Sequence, residues 1–546
     1  MSHITKEQSG LYKNPEWKCT NICSTLRSGY FFVYDRKFNR FYCLLNRFTS
    51  VFSILLQSSF STNQIDFHMN RKPTSNRSRR TFIRNTSLAA AGFFIVPRHV
   101  LGRGHVAPSD KLRIAGIGIG GKGQSDLTEF MKSPNAQIVA LCDVDDRQAA
   151  NWRKRNPSAP YYRDFREMLE KEKNNIDAVS VSTPDNTHAV AALAAMQLGK
   201  HVYVQKPLTH DIFEARKLTE AAKRYKVVTQ MGNQGGSGDG VRKMKEMVDA
   251  GMIGEVHSVN CWTNRPVWPQ GLPTPSGVHE MPRELDWDLW LGPAQKIDYN
   301  PAYLPFNWRG WWAFGTGALG DMACHIMDPV YRILPIDYPT DVECSIATIW
   351  KEMWNDSMNQ ASCPPSSIIR LTYPRKDNKK KTIKVNWYDG GLLPQRPDEL
   401  LPDEPMGNWD GGVIFEGSKG KIMADCYGAN PRLLPTRLMA EKTMPKETIK
   451  RVPEGHYVQW VNACIAGYGN AEVSSPFEFA GPFTESILIG NLAIRSFMMK
   501  NPNNKGWDDK YLGRKRLVWD AQNMRITNFD EANQFVKREY RTGWTL

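Results

Sequence analysis

Two groups of residues in this chain have types and spacings that suit chemistry. Asp321 and His325 lie four residues apart in Gly317-Ala318-Leu319-Gly320-Asp321-Met322-Ala323-Cys324-His325. On a helix they share one face, so the carboxylate can bond to the imidazole. Histidine titrates near neutral pH and suits general-base work, with the carboxylate orienting it. The spacing equally fits a capping aspartate and a satisfied histidine. Without further clustered acids or cysteines, it makes a poor metal site, and none is expected. The second group is Gly118, Gly120 and Gly123 in KLRIAGIGIGGKGQSDLTEF. Glycines at this spacing let a backbone turn tightly against a pyrophosphate, and a following helix offers free N–H groups and its positive dipole end. Asp143 stands twenty residues after Gly123, where a carboxylate can accept ribose hydroxyls.

These groups need elements to hold them. The apolar-rich run Leu112–Ile117 reads as a buried strand leading into the glycine turn, and Gln124–Met131 as a helix. Further strands are expected at 137–142, 176–182, 201–204 and 227–231, with helices at 186–198 and 212–225. Strands alternating with helices predict an α/β domain over 108–232, a doubly wound parallel sheet. Beyond Gly232 the texture changes. A stretch rich in Pro, Gly and Trp runs from Asn264 to Gly317, followed by longer strands at 340–350, 367–373, 382–388 and 412–416. These predict a second, α+β domain over 233–546. It carries a large, open, mostly antiparallel sheet with one solvated face, and C-terminal helices that include 483–499.

Four motifs in this order resemble the Gfo/Idh/MocA oxidoreductases over most of residues 110–500. They are the glycine turn with Asp143, Ser182-Thr183-Pro184-Asp185-Asn186-Thr187-His188, Gln205-Lys206-Pro207, and Gly320-Asp321 followed by His325. The resemblance implies a Rossmann fold that binds NAD(P). It implies that the Thr183-Pro184 loop touches the cofactor with Asn186 and His188 nearby, and that Lys206 contacts substrate and nicotinamide. It also implies His325 as the base with Asp321 as its partner, and cofactor contact from Trp308-Arg309. The family has Glu where this chain has Gln205, which removes a carboxylate able to pair with Lys206. Trp311 suits either a sugar face or the interdomain core, and Asn233 either substrate or a turn. Asp143 favours NAD, while Arg147 leaves room for NADP. The implied substrate is a sugar, glycoside or polyol. The reaction is hydride transfer, or alternatively redox-neutral glycoside cleavage; a sugar-binding sensor without turnover is a third reading. Association into a homo-oligomer through the second sheet follows only by family analogy.

The net charge of +15 is uneven along the 546 residues. Residues 1–68 carry +4, residues 69–105 carry +8 without a single acid, and the remaining 441 carry only +3. A nearly neutral body argues against a nucleic-acid partner. The run Ser78-Arg79-Arg80-Thr81-Phe82-Ile83-Arg84 resembles a twin-arginine export signal, and the short apolar stretch 87–96 suits its h-region. This predicts a soluble protein carried by the twin-arginine machinery to the periplasm, with its cofactor tightly bound because no free nicotinamide pool is evident there. Residues 1–68 read as a gene-model extension or a disordered leader, and 69–105 as the signal region. Seven cysteines beyond the leader, without a C-x-x-C pair, suit neither a disulfide framework nor a zinc site.

Overall fold

The computed structural model describes residues 111–546 except 358 and 507–509, together with the strands Tyr30–Asp35 and Arg40–Leu45. These two strands pair antiparallel within the segment expected to be a leader. The expected export signal lies outside the described residues.

The first sheet follows the expected alternation. Its strands are β1 (Leu112–Ile117), β2 (Ala136–Cys142), β3 (Tyr161–Tyr162), β4 (Ala178–Val181), β5 (His201–Val204) and β6 (Thr229–Met231). They lie in the order β3-β2-β1-β4-β5-β6, all parallel. Helices cover both faces, which is why β4 is buried along its whole length. The helices that matter here are α1 (Gly121–Phe130), α2 (Asp185–Gln197) and α3 (Ile212–Tyr225). The strand order reverses between β1 and β4, which opens a crevice at their carboxyl ends. The glycine turn follows β1 and Thr183 follows β4, so both line that crevice.

The second sheet has nine strands: β7 (Val256–Thr263), β8 (Asp341–Ile346), β9 (Ser367–Pro374), β10 (Thr382–Tyr388), β11 (Gly411–Gly417), β12 (Gly420–Asp425), β13 (Arg432–Leu434), β14 (Leu517–Asp520) and β15 (Arg525–Ile526). Their order is β13-β12-β11-β7-β10-β9-β8-β14-β15. All neighbours are antiparallel except β7 and β10. The expectation of one solvated face needs a correction. Trp262, Ile414, Met423 and Leu434 form a separate small core with Leu400, and Tyr388 and Met406 pack against it. The long loop after β10 therefore covers part of the second face.

The candidate site helix is α4 (Gly317–Ile326). Two further helices, α5 (Gly455–Ala466) and α6 (Phe477–Phe497), carry the chain back to the first sheet. Trp460 and Val461 of α5 share a core with Phe130 and Tyr203. On α6, the wholly buried Glu485 receives two hydrogen bonds from Arg216 of α3, at 2.8 and 2.6 Å. This planar, two-point contact satisfies a carboxylate that burial alone would destabilise. The sequence predicts the helix only from Phe483, because Pro482 lacks an N–H and opposes helix continuation. It in fact starts at Phe477, where the backbone N–H is anchored by the Thr229 hydroxyl.

Steric need explains the glycine spacing. A Cβ on Gly123 would lie 1.8 Å from the Gly118 carbonyl oxygen, and one on Gly118 would lie 2.8 Å from that of Ser182. Gly118 also has φ +74°, open to glycine at little cost. Gly123→Ala should therefore destabilise the fold by about 3 kcal/mol. Gly121→Ala has free space around its Cβ but φ +44°, so it should cost about 1 kcal/mol. Thermal unfolding of the two variants checks the order.

Candidate active site

The glycine turn forms an anion cradle. Gly120 precedes α1 without any side-chain cap, and the first turn contains no acid. The N–H groups opening α1 have no partner within the helix. Asp143, at the end of β2, accepts hydrogen bonds from Ile119 N (2.9 Å) and Gly120 N (3.1 Å) through one oxygen, and from Asp145 N (3.0 Å) through the other. It thus braces the turn with both of its oxygens. Burial pushes its carboxyl up to about 6, against those three backbone donors. Arg147 makes a two-point contact to Asp145 at 2.8 and 2.6 Å. Thr183 and Pro184 are half-buried at the crevice, directly beside Gly118. Uncapped donors, a Cβ-free cradle and a nearby carboxylate fit the phosphates and ribose of a dinucleotide.

The second cluster joins β5 to α4. Lys206 follows β5, with a cis bond to Pro207. Its Nζ donates to Asp321 Oδ1 at 2.6 Å and to the Asp321 backbone carbonyl at 2.8 Å. Arg309 Nε lies 3.3 Å from the same Oδ1. Arg309 itself stacks over Phe306 and Trp308, with its guanidinium carbon 4.0 and 4.3 Å from their ring centroids. Burial raises the Asp321 carboxyl, but the Lys206 and Arg309 charges outweigh it and hold the group well below the usual carboxylate range.

This corrects the expected Asp321–His325 pairing. The two residues do share α4, but the carboxylate is turned to the cations. The buried His325 Nδ1 has no hydrogen-bond partner among the described residues. Burial and then the Lys206 charge push its imidazole well below its ordinary value. His325 is therefore neutral at physiological pH, and a neutral imidazole can accept a proton. Its ring packs 4.6 Å from that of Tyr427.

Several other expected contacts are structural. Both ring nitrogens of buried His188 lie 2.9 Å from carbonyl oxygens, those of Pro207 and Thr183. The ring is a strut between the two loops and has no nitrogen left for cofactor. Asn186 is fully buried and donates to the Leu291 carbonyl at 2.8 Å. Asn233 is fully buried too; its amide N–H donates to Asp328 at 2.7 Å, while its Oδ1 has no partner among the described residues. Trp308 and Trp311 belong to an aromatic core with Trp287, Trp290, Tyr303 and Phe314. Trp311 thus fills the core, and Trp308 acts as the platform under Arg309, which turns to Asp321.

Gln205 shows what the sequence hid. Its Nε2 donates at 2.8 Å to Asp126, a wholly buried carboxylate on α1. Asp126 also accepts from Ser182 and Tyr457, both at 2.8 Å, and from Lys122. A glutamate at 205 would set two carboxylates against each other; glutamine supplies the donor Asp126 needs. Asp126 lies three residues after Gly123, but only the fold reveals its partner 79 positions away.

Gln205→Glu should therefore cost about 3 kcal/mol, from an uncompensated buried charge. Adding Asp126→Asn should recover most of that loss, because the amide then donates to the new carboxylate. Chemical denaturation of the single and double variants measures the coupling. For His325, the sign follows from its depressed pKa. The residue stays unprotonated as pH falls past about 6.5, the ordinary imidazole value. The acid limb of kcat/KM should thus lie well below that pH, as a pH–rate profile would show.

Comparison with known proteins gives this geometry a context. Residues 112–233 match an oxidoreductase family with an NAD-binding Rossmann fold, and residues 237–358 match its C-terminal alpha/beta domain. Among curated relatives, a glycosyl hydrolase family 109 protein of Shewanella sp. (strain W3-18-1) is 29% identical over 206 residues, 33% of this chain and 44% of its own length. The myo-inositol 2-dehydrogenase of Thermotoga maritima is 27% identical over 158 residues, 29% of this chain and 47% of its own. The chain thus spans less than half the length of either relative. An inositol dehydrogenase homologue from Azotobacter vinelandii, solved with NADH and myo-inositol, aligns with TM-score 0.43 and 17% identity over 70% of this chain and 94% of its own. Residues 112–233 are thus the NAD-binding Rossmann domain, and residues 237–358 the C-terminal alpha/beta domain, of the Gfo/Idh/MocA oxidoreductase family.

Proposed function

We propose that this protein oxidises a hydroxyl of a sugar, glycoside or polyol, with NAD as the hydride acceptor. The observation that carries the reading is the Lys206–Asp321–Arg309 cluster, with a neutral histidine one turn further along the same helix. Two cations share one carboxylate, which leaves the cluster with a surplus positive charge. Such a site stabilises the alkoxide that forms as a substrate hydroxyl loses its proton. His325 takes that proton. The Lys206 ammonium, fixed by two acceptors on Asp321, has one N–H left to hold the substrate oxygen.

A bound nicotinamide dinucleotide supplies the acceptor for hydride. The uncapped start of α1 holds its pyrophosphate, Asp143 its ribose, and Thr183-Pro184 line its path. NAD is favoured over NADP because the Asp143 carboxylate would repel a 2′-phosphate, and Arg147 is engaged by Asp145.

The likeness to glycosyl hydrolase family 109 proteins supports a second reading, redox-neutral glycoside cleavage by the same residues. It also suits an exported protein that retains its cofactor, as the Ser78–Arg84 run suggests. The two readings differ in net reduction. Stopped-flow absorbance of the NAD-loaded enzyme with excess myo-inositol or a p-nitrophenyl glycoside distinguishes them. Stable reduction supports the dehydrogenase, and transient reduction with glycoside cleavage supports the hydrolase. His325→Ala should slow the reduction about 10²–10⁴-fold with NAD affinity unchanged. No absorbance change on any sugar would sink both readings.

A further inference from the structure

The chain places a strained tyrosine against the candidate base. Tyr427 lies in the loop after β12 with φ 66° and ψ 13°, a left-handed conformation that an aromatic residue rarely adopts. Gly428 and Asn430 are left-handed too, with φ 67° and 47°. Left-handed backbone at a bulky residue costs on the order of 1–2 kcal/mol, and persists where surrounding contacts over-determine it.

Those contacts come from the segment after β6. A Cβ on Gly235 would lie 2.8 Å from the Tyr427 carbonyl oxygen, and one on Gly240 would lie 2.1 Å from that of Gly428. Two glycines are thus needed for the loop to come this close. The approach sets the Tyr427 ring 4.6 Å from the His325 ring at an interplanar angle of 57°. Yet the residue remains 39% exposed, and its hydroxyl makes no hydrogen bond among the described residues. Packing alone would favour an apolar residue there, or a glycine without strain.

We propose that Tyr427 is a substrate-contacting residue: its ring shields His325 from water, and its free hydroxyl donates to an oxygen of the polyhydroxylated substrate. This rests on the function proposed above. Burial, with Cys426 and the Asp410 carboxylate nearby, pushes the phenol up to about 12. It therefore stays protonated at neutral pH. It orients substrate by a hydrogen bond and leaves proton removal to His325.

Two variants separate the two roles. Tyr427→Phe keeps the ring and removes only the hydroxyl. On whichever sugar the wild type turns over, its kcat/KM should fall roughly tenfold, the worth of a lost hydrogen bond. Its NAD affinity, and the rate at which diethyl pyrocarbonate labels His325, should match the wild type. Tyr427→Asn removes the ring but tolerates the left-handed backbone. Its His325 should be labelled several-fold faster, as read by mass spectrometry of the peptide. A Tyr427→Phe enzyme within twofold of wild type overturns the hydroxyl's role. Unchanged labelling in Tyr427→Asn overturns the shielding. A wild-type enzyme idle on every sugar and polyol overturns the oxidoreductase reading, and the hydroxyl's role with it.

Discussion

The Lys206–Asp321 ion pair is the contact on which the site depends. Lys206 hangs from the end of a strand in the first sheet, and Asp321 rides on the helix that packs against the second. They are 115 positions apart and meet at 2.6 Å with both side chains largely shielded from water. Burying either charge alone would cost several kcal/mol, so each needs the other in place. One charged contact thus ties the end of the first sheet to the helix on the second. The crevice at the carboxyl ends of β1 and β4 opens beside the same contact.

A single carboxylate with two cations has a further consequence. Asp321 makes no hydrogen bond to His325, and burial and the nearby ammonium hold the histidine neutral. In the arrangement expected from the i, i+4 spacing, the carboxylate would have favoured imidazolium. Here the imidazole is unprotonated because burial and a neighbouring cation outweigh the carboxylate. Its surroundings are set instead by Tyr427, whose loop is pressed in by glycines of the segment after β6.

Around this centre several polar side chains hold other parts of the chain. His188 bridges two loop carbonyls, Asn233 holds Asp328, and Gln205 serves the buried Asp126. The returning helix α5 completes that network through Tyr457 and packs Trp460 under the first sheet. The nucleotide-binding half is therefore finished by residues more than three hundred positions downstream of its glycine turn. The satisfied network around Asp126 also gives Gln205 a reason of its own, unrelated to the charge on Lys206.

The sequence by itself determined what short-range sterics and periodicity govern. The Gly118, Gly120 and Gly123 spacing specifies a turn that any Cβ would break, and the alternation of apolar runs specifies the parallel sheet. The later strands were legible for the same reason, though the start of α6 was hidden by Pro482. Lys206, Asp321 and His325 could be picked out by type and motif. Their pairing could not, because a charged side chain bonds to whatever opposite charge the fold brings within about 3 Å, and sequence separation does not encode that distance. Thus the packed chain also gives Asn186, His188, Asn233 and Trp311 structural contacts that their sequence positions did not reveal. Asp126 and Tyr427, unremarked in the sequence, gained their places only when distant segments closed around them.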